Sequence, residues 1–346
     1  LILALGEFGQ GNSVNKHIRC AIAGLGRIGS TLEDDMLREK PASHAGAIAA
    51  HPECVIAAGA DTNPEKREDF RRRWSCGAVF ADYREMLSEI RPDIFHIAAP
   101  AEMHREMLLH AIGIGIPVIL CEKPLAPTLD DAQAMLEYAE KGVSKIIVNH
   151  ERRYALDYAE ARRKALSGAY GGIVSITAKV LMGKKRKARD VLLDDATHMI
   201  DIIRYITGRE LIIECVVGDP ESTIAPLACL LRAGSIAVFL EAGPGRDHIV
   251  FEADISMRRG RIVIGNGYYQ EYESAKSPFY EHLRSLRPLE ASFPRTEYFS
   301  RMFAEAVSLF KNERAEATSS IKDGYEAIKT IDGILKKSHE GSHSTL

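Results

Sequence analysis

A lysine set between a glutamate and a proline, Glu122-Lys123-Pro124, follows the apolar run 118–121. Further along, Asp194, His198 and Asp201 recur at i, i+4 and i+7, a spacing that puts three side chains on one face of a helix. These are residue types that move protons. A partly desolvated lysine beside a positive ring gives up its proton more readily and can act as acid or base near neutral pH. An aspartate one turn from a histidine can orient it, and the histidine can relay a proton or hold a hydroxyl. The chemistry that fits is reversible hydride transfer between a carbinol and a nicotinamide, which needs an acceptor for the hydroxyl proton. The same residues have plainer readings. Lys123 can be a loop lysine, and the Asp/His face can be a metal site or a helix with a buried histidine. Hydride transfer to nicotinamide needs no metal and no further ligand cluster is evident, so none is expected.

A cofactor of that kind needs a phosphate cradle. The apolar segment 18–23 runs straight into Gly24-Leu25-Gly26-Arg27-Ile28-Gly29, a G-x-G-x-x-G in strand-to-helix context. Gly24 permits the tight turn, Gly26 leaves room for a pyrophosphate, and Gly29 lets helix and strand pack closely. The helix N-terminus then offers free N–H groups to the phosphates. The next strand ends at Asp61-Thr62. An acid there accepts hydrogen bonds from ribose hydroxyls and repels a 2′-phosphate, which favours NAD over NADP. From Gly29 to Asp61 is 32 residues, where about 20 is usual. The excess is placed at 31–41, and the stretch is expected to cover the cofactor or border the substrate cleft.

Short Ile/Val-rich runs at 18–24, 55–60, 94–98, 118–121 and 146–148 alternate with helical patterns at 65–74, 103–112 and 129–140. Runs of this kind predict parallel strands buried on both faces, hence an α/β Rossmann domain over residues 17–150. In the second half, successive strands are read at 173–180, 211–217, 235–241, 248–256 and 261–264, with helices at 192–206, 297–310 and 321–336. They predict an α+β domain with a mostly antiparallel sheet over 151–337, its last helix able to pack back on the first domain. Residues 1–16 read as a flexible leader and 338–346 as a frayed tail.

The 346 residues carry a net charge of -3 and 46% hydrophobic residues. That balance speaks against a general attraction to nucleic acid or anionic membrane. No apolar run approaches the roughly 20 residues that span a bilayer. The six cysteines are scattered and form no C-x-x-C, which fits a reducing cytoplasm.

Taken together, Glu122-Lys123-Pro124, Ala98-Ala99-Pro100 with His104, the stretch Asn149-His150-Glu151-Arg152-Arg153-Tyr154, and Asp194-x-Ala196-x-His198 resemble the Gfo/Idh/MocA family of oxidoreductases over roughly residues 17–336. The resemblance implies a Rossmann domain followed by an open-faced sheet domain. It implies an NAD(P)-dependent dehydrogenase or reductase acting on the CH–OH group of a sugar, inositol or sugar acid, assembled as a homodimer or homotetramer. It gives Lys123, Asp194 and His198 catalytic roles, leaves Asp201 structural, and sets Ala99, Pro100, His104 and Glu122 near the nicotinamide ribose. Arg152 and Arg153 reach cofactor or substrate, or are a solvated pair. Two rivals stay open: a reductase of another carbonyl or conjugated substrate, and a non-catalytic dinucleotide sensor.

Two departures leave the substrate open. A basic run, Lys184-Lys185-Arg186-Lys187-Ala188-Arg189, replaces the family's glycine-rich stretch, and Ala196 stands where glycine is common. Only five positions separate Arg189 from Asp194, at most about 18 Å of chain. The run is therefore expected near the site, where it would favour an anionic substrate.

Overall fold

The computed structural model describes residues 17–183 and 186–342. The expected leader at 1–16 lies outside the described residues. Strands β1 (Ile18–Ala23), β2 (Cys54–Ala60), β3 (Val79–Phe80), β4 (Ile94–Ile97), β5 (Val118–Cys121) and β6 (Lys145–Val148) form one parallel sheet in the order β3-β2-β1-β4-β5-β6. The apolar runs form strands because helices cover both faces. The strand order reverses between β1 and β4, and the crevice beyond the strand ends at that point is where doubly wound sheets bind ligands.

The helix that should follow the glycine loop is split. A short 3-10 turn at Thr31–Asp34 ends it, and helix α1 (His44–Ala50) resumes it. The N–H groups of His44 and Ala45 donate to the carbonyls of Ile28 and Gly29, both at 3.0 Å. Residues 35–43 therefore leave the helix as an excursion and return to it, which accounts for the long interval before Asp61. Glu33 Oε1 pins the return by accepting from the N–H groups of Ala42 (2.7 Å) and Ser43 (2.8 Å). Glu39 pins the far side, accepting from the N–H groups of Thr296 (2.8 Å) and Glu297 (3.0 Å).

The second sheet has eight strands, in the order β14-β13-β12-β11-β7-β10-β9-β8. They are β7 (Ile173–Met182), β8 (Leu211–Val217), β9 (Leu227–Ala233), β10 (Ile236–Gly243), β11 (Ile249–Met257), β12 (Gly260–Gly265), β13 (Tyr268–Lys276) and β14 (Arg284–Leu289). Only β7 and β10 pair in parallel. Strands β9, β13 and β14 are additions to the five read from the sequence.

One expectation is corrected. The segment 192–206 is not one helix. Helix α2 (Ala188–Asp194) ends at Asp195, and helix α3 (Ala196–Thr207) starts anew with Asp195 as its N-cap. Two further helices close the chain. Helix α4 (Tyr298–Phe310) packs Phe299, Met302, Phe303 and Val307 against the β1, β5 and β6 residues Cys20, Ile22, Leu120 and Ile147. A helix from the second half thus forms part of the first domain's core. Helix α5 (Ile321–Ser342) runs past the boundary at 337 and shares a core with both sheets through Ile328, Ile331 and Ile334.

Candidate active site at the domain junction

The glycine loop is shaped as its chemistry requires. Gly24 has φ +92°, and a Cβ there would come within 2.4 Å of the Ala98 carbonyl oxygen. A Cβ on Gly29 would meet the Gly24 oxygen at 2.0 Å, whereas one on Gly26 would meet nothing nearer than Lys66 Nζ at 4.0 Å. The close contacts hold the turn, and Gly26 leaves the open approach. Leu25 is buried beneath the loop, while Arg27 is exposed and Ile28 half-buried. The Leu25 N–H donates to Asp61 Oδ2 at 2.9 Å. Asp61, Thr62, Ala99 and Pro100 line a pocket of about 400 Å³ beside Gly24. Asp61 and Thr62 are placed to meet the adenosine end of a dinucleotide, and Ala99 and Pro100, expected near the nicotinamide ribose, line that same pocket instead.

His104 lies lower, 1% exposed, with its ring nitrogens 2.9 Å and 3.0 Å from the carbonyl oxygens of Ala99 and Pro124. It holds two cofactor-side loops together and is shielded from any ligand. Glu122 is also buried. Its Oε1 accepts from His44 Nε2 (2.8 Å) and Asn149 Nδ2 (2.5 Å). Burial alone would raise the Glu122 carboxyl, but the His44 and Asn149 bonds and the Lys123 charge hold it below the usual carboxylate range. His44 in turn meets His96, Nδ1 to Nδ1, at 2.9 Å. Burial, and then His44, pushes His96 well below the usual histidine range.

Lys123 is half-buried, and its Nζ donates to the backbone carbonyl of Asp194 at 2.6 Å. The carbonyls at a helix C-terminus favour a cation. The Asp194 carboxylate turns elsewhere, accepting from Arg186 at 2.5 Å, as does Asp195. Asp194 therefore does not orient His198, because the break at Asp195 sets the two on different helices. Asp194 reaches Lys123 through its main chain. His198 is 8% exposed, and its Nδ1 has no partner among the described residues. Burial first, then the charges of Lys123, Arg152 and His150, push His198 well below the usual histidine range. Burial thus favours the neutral ring.

Arg152 and Arg153 diverge. Arg153 is buried in a charge cluster, with two bonds of 2.7 Å to Asp201 and one of 2.9 Å to Asp323. Asp201 is structural here, as expected. Arg152 instead stacks on Phe251, 3.7 Å from the ring centroid, and bonds Asn266 at 3.0 Å. It borders a cavity of about 850 Å³, together with Glu151, Tyr158 and the excursion residues Leu37, Arg38 and Glu39. Burial, and then the neighbouring Glu122, raises the Glu151 carboxyl against the opposing charges of Arg152 and Lys123.

The basic run is answered locally. Arg186 pairs with Asp194 and Asp195, while Lys187 and Arg189 pair with Glu221. Lys184 and Lys185 lie outside the described residues. Sequence reasoning missed His44, Asn149 and Glu151. Asn149 and Glu151 sit inside the quoted stretch before Arg152. His44 was hidden because the excursion separates it from the glycine loop.

Fold and site define a Rossmann domain joined to an open-sheet domain, with a lysine and a neutral histidine at their junction. Residues 18–150 match the family model described as "Oxidoreductase family, NAD-binding Rossmann fold" (GFO_IDH_MocA), so the likeness to that family is shown for this domain. The chain is 25% identical over 202 residues to D-glucoside 3-dehydrogenase of Escherichia coli (strain K12), a stretch covering 55% of this chain and 54% of the relative. The chain thus spans about half the length of that relative. It is 23% identical to inositol 2-dehydrogenase of Rhizobium meliloti (strain 1021), covering 92% of this chain and 96% of the relative. Among solved structures, levoglucosan dehydrogenase in complex with NADH and levoglucosan superposes with TM-score 0.77 at 21% identity, covering 94% of this chain and 98% of that one. At that identity the likeness is one of fold.

Proposed function

We propose that the protein is an NAD-dependent dehydrogenase or reductase acting on the CH–OH group of a sugar- or inositol-like polyol. The observation that carries this reading is the meeting of Lys123 Nζ, the Asp194 carbonyl and the neutral His198 at the end of the dinucleotide crevice. The glycine loop and Asp61 would hold NAD, which when bound would supply the hydride acceptor for the carbinol carbon. Lys123, in its amine form, accepts the hydroxyl proton, and the Asp194 carbonyl holds the resulting ammonium. His198 hydrogen-bonds the same or the adjacent hydroxyl. Glu122, kept ionised by His44 and Asn149, fixes the loop that carries Lys123. In reduction the proton runs the other way. The dehydrogenase names of the relatives support the substrate class. Asp61 at the adenosine end supports NAD over NADP.

The local pairing of Arg186, Lys187 and Arg189 supports a neutral polyol rather than an anion. The outer face of the second sheet exposes Ile212, Val217, Leu230 and Phe239. An apolar face of this kind supports a homodimer or homotetramer, to be read from light scattering. Five of the six unpaired cysteines are buried, which supports a place in the cytoplasm. The function is tested by NADH formation over a panel of sugars, inositols and sugar acids. Robust turnover on a neutral polyol is expected. Tight NADH binding with no turnover on any carbinol, at any pH from 6 to 10, would favour the sensor.

A further inference from the structure

The break between α2 and α3 is what gives Lys123 its partner. In an unbroken helix the Asp194 carbonyl would accept the N–H of the residue four places on, which is His198. Here the His198 N–H donates instead to the Asp195 carbonyl at 3.2 Å. The Asp194 oxygen is thereby released from helix bonding, and Lys123 Nζ takes it at 2.6 Å. The same interruption thus sets both the backbone of His198 and the acceptor of Lys123.

Such a break has to be held, because Asp194 and Asp195 set two carboxylates side by side. Burial raises the Asp194 carboxyl, Arg186 opposes the rise, and Asp195 adds to it. Arg186 answers both acids. Its Nη1 donates to Asp195 Oδ2 and its Nη2 to Asp194 Oδ2, each at 2.5 Å. Nη2 also lies 3.3 Å from the Asp190 carbonyl oxygen. The guanidinium therefore ties a carbonyl within α2 to the last side chain of α2 and to the N-cap side chain of α3. A planar fork can span two carboxylates where an ammonium cannot. The rest of the basic run points elsewhere, since Lys187 and Arg189 pair with Glu221. Among the described residues of that run, Arg186 alone pairs with Asp194 or Asp195.

We propose that Arg186 is a positioning residue for Lys123: it clamps the break between α2 and α3, so that the Asp194 carbonyl stands where Lys123 Nζ is to be held. Without the clamp the two carboxylates repel each other and the break relaxes. Asp194 is then free to offer Lys123 its carboxylate in place of its carbonyl. Either change moves the amine away from the place of proton transfer, and an error of about 1 Å there can cost on the order of 10²-fold in rate. The effect on rate rests on the dehydrogenase reading above, while the clamp rests on the hydrogen bonds at the break.

The test joins a crystal structure of Arg186→Ala to its kinetics, with the polyol of the panel above that turns over fastest. In the variant, Lys123 Nζ lies beyond about 3.5 Å from the Asp194 carbonyl oxygen, outside hydrogen-bond range. Its kcat falls at least about tenfold, while KM and NADH affinity stay within about threefold and the melting temperature shows that the fold is kept. Arg186→Lys retains the charge without the fork. It gives an intermediate kcat, and it carries the same readings where Arg186→Ala does not fold. Lys187→Ala, from the same run but paired with Glu221, keeps kcat within about twofold, as the loss of an exposed pair should. Lys123 still bonded to the Asp194 carbonyl in the variant overturns the proposal whatever the kinetics. An unchanged kcat, in a protein that turns over, overturns it as well. The structure keeps the two readings apart. A displaced Lys123 in a protein that turns over no carbinol upholds the clamp and contradicts the dehydrogenase. Turnover on a polyol, with Lys123 and kcat both unmoved by Arg186→Ala, does the reverse.

Discussion

At the residue scale, the site works by giving like residues different surroundings. Glu122 is buried and Glu151 half-buried, yet His44 and Asn149 keep the first ionised while the second, with no side-chain bond among the described residues, is pushed toward its neutral form. Asp61 works through position. One oxygen holds the Leu25 N–H and the other accepts from Asn63 at 2.9 Å, so the carboxylate faces the adenosine pocket in a fixed pose. Asp61→Ser should therefore weaken NAD and relieve the repulsion of NADP, narrowing the NAD/NADP ratio of kcat/KM by at least about tenfold. An unchanged ratio would show that Asp61 does not read the ribose. His96, His150 and His198 are all held below the usual histidine range, chiefly by burial. In the unfolded chain they protonate near about 6.5. Below that pH and above their folded values, the unfolded state binds more protons, so stability rises with pH and falls as pH drops. The melting temperature should decline from pH 7 to pH 5, and His96→Gln should flatten that decline. An equal slope in the variant would mean that His96 is already protonated in the fold.

At the scale of elements, the charge cluster at Arg153 joins the 3-10 turn Glu151–Tyr154 to α3 through Asp201 and to α5 through Asp323. Arg153→Met leaves the buried Asp201 carboxylate without its cation, and the half-buried Asp323 with Arg204 alone, a loss of about 3–5 kcal/mol, readable as a drop in the denaturation midpoint. A loss below about 1 kcal/mol would mean that the cluster is solvated in practice. The first domain was legible because its strands are uniform Ile/Val runs and its glycine loop has a fixed spacing. β3 escaped because two residues carry no period. β9, with the sequence Leu-Ala-Cys-Leu-Leu-Arg-Ala, has alternating burial but an outer face that includes Leu230, so its polarity does not alternate. β13 is rich in Tyr, Glu and Gln and half exposed, hence lacks an apolar signature. The i, i+4, i+7 spacing of Asp194, His198 and Asp201 was real, but spacing assumes one continuous helix. The break at Asp195 gave Asp194 a main-chain role instead. The excursion was visible as an excess of residues, but its anchors, Glu33 and Glu39, are ordinary surface types until their partners are known.

At the scale of the molecule, neither half holds the site alone. The first domain supplies the crevice and Lys123, while the carbonyl that receives Lys123 and the neutral His198 come from α2 and α3. Helix α4 returns to the first domain's sheet and α5 lies against both sheets, so the junction is locked by shared core rather than by a hinge. On the proposed function, hydride and proton transfer would be a property of the junction, with Lys123 as the group that crosses it. The measurement that tests this most directly is turnover of Lys123→Ala beside its affinity for NADH, using the best polyol of the panel. The account predicts turnover lowered by roughly 10² to 10⁴, the usual share of a general acid or base, with NADH affinity within a few-fold of the unaltered protein. Near-normal turnover in Lys123→Ala would contradict it.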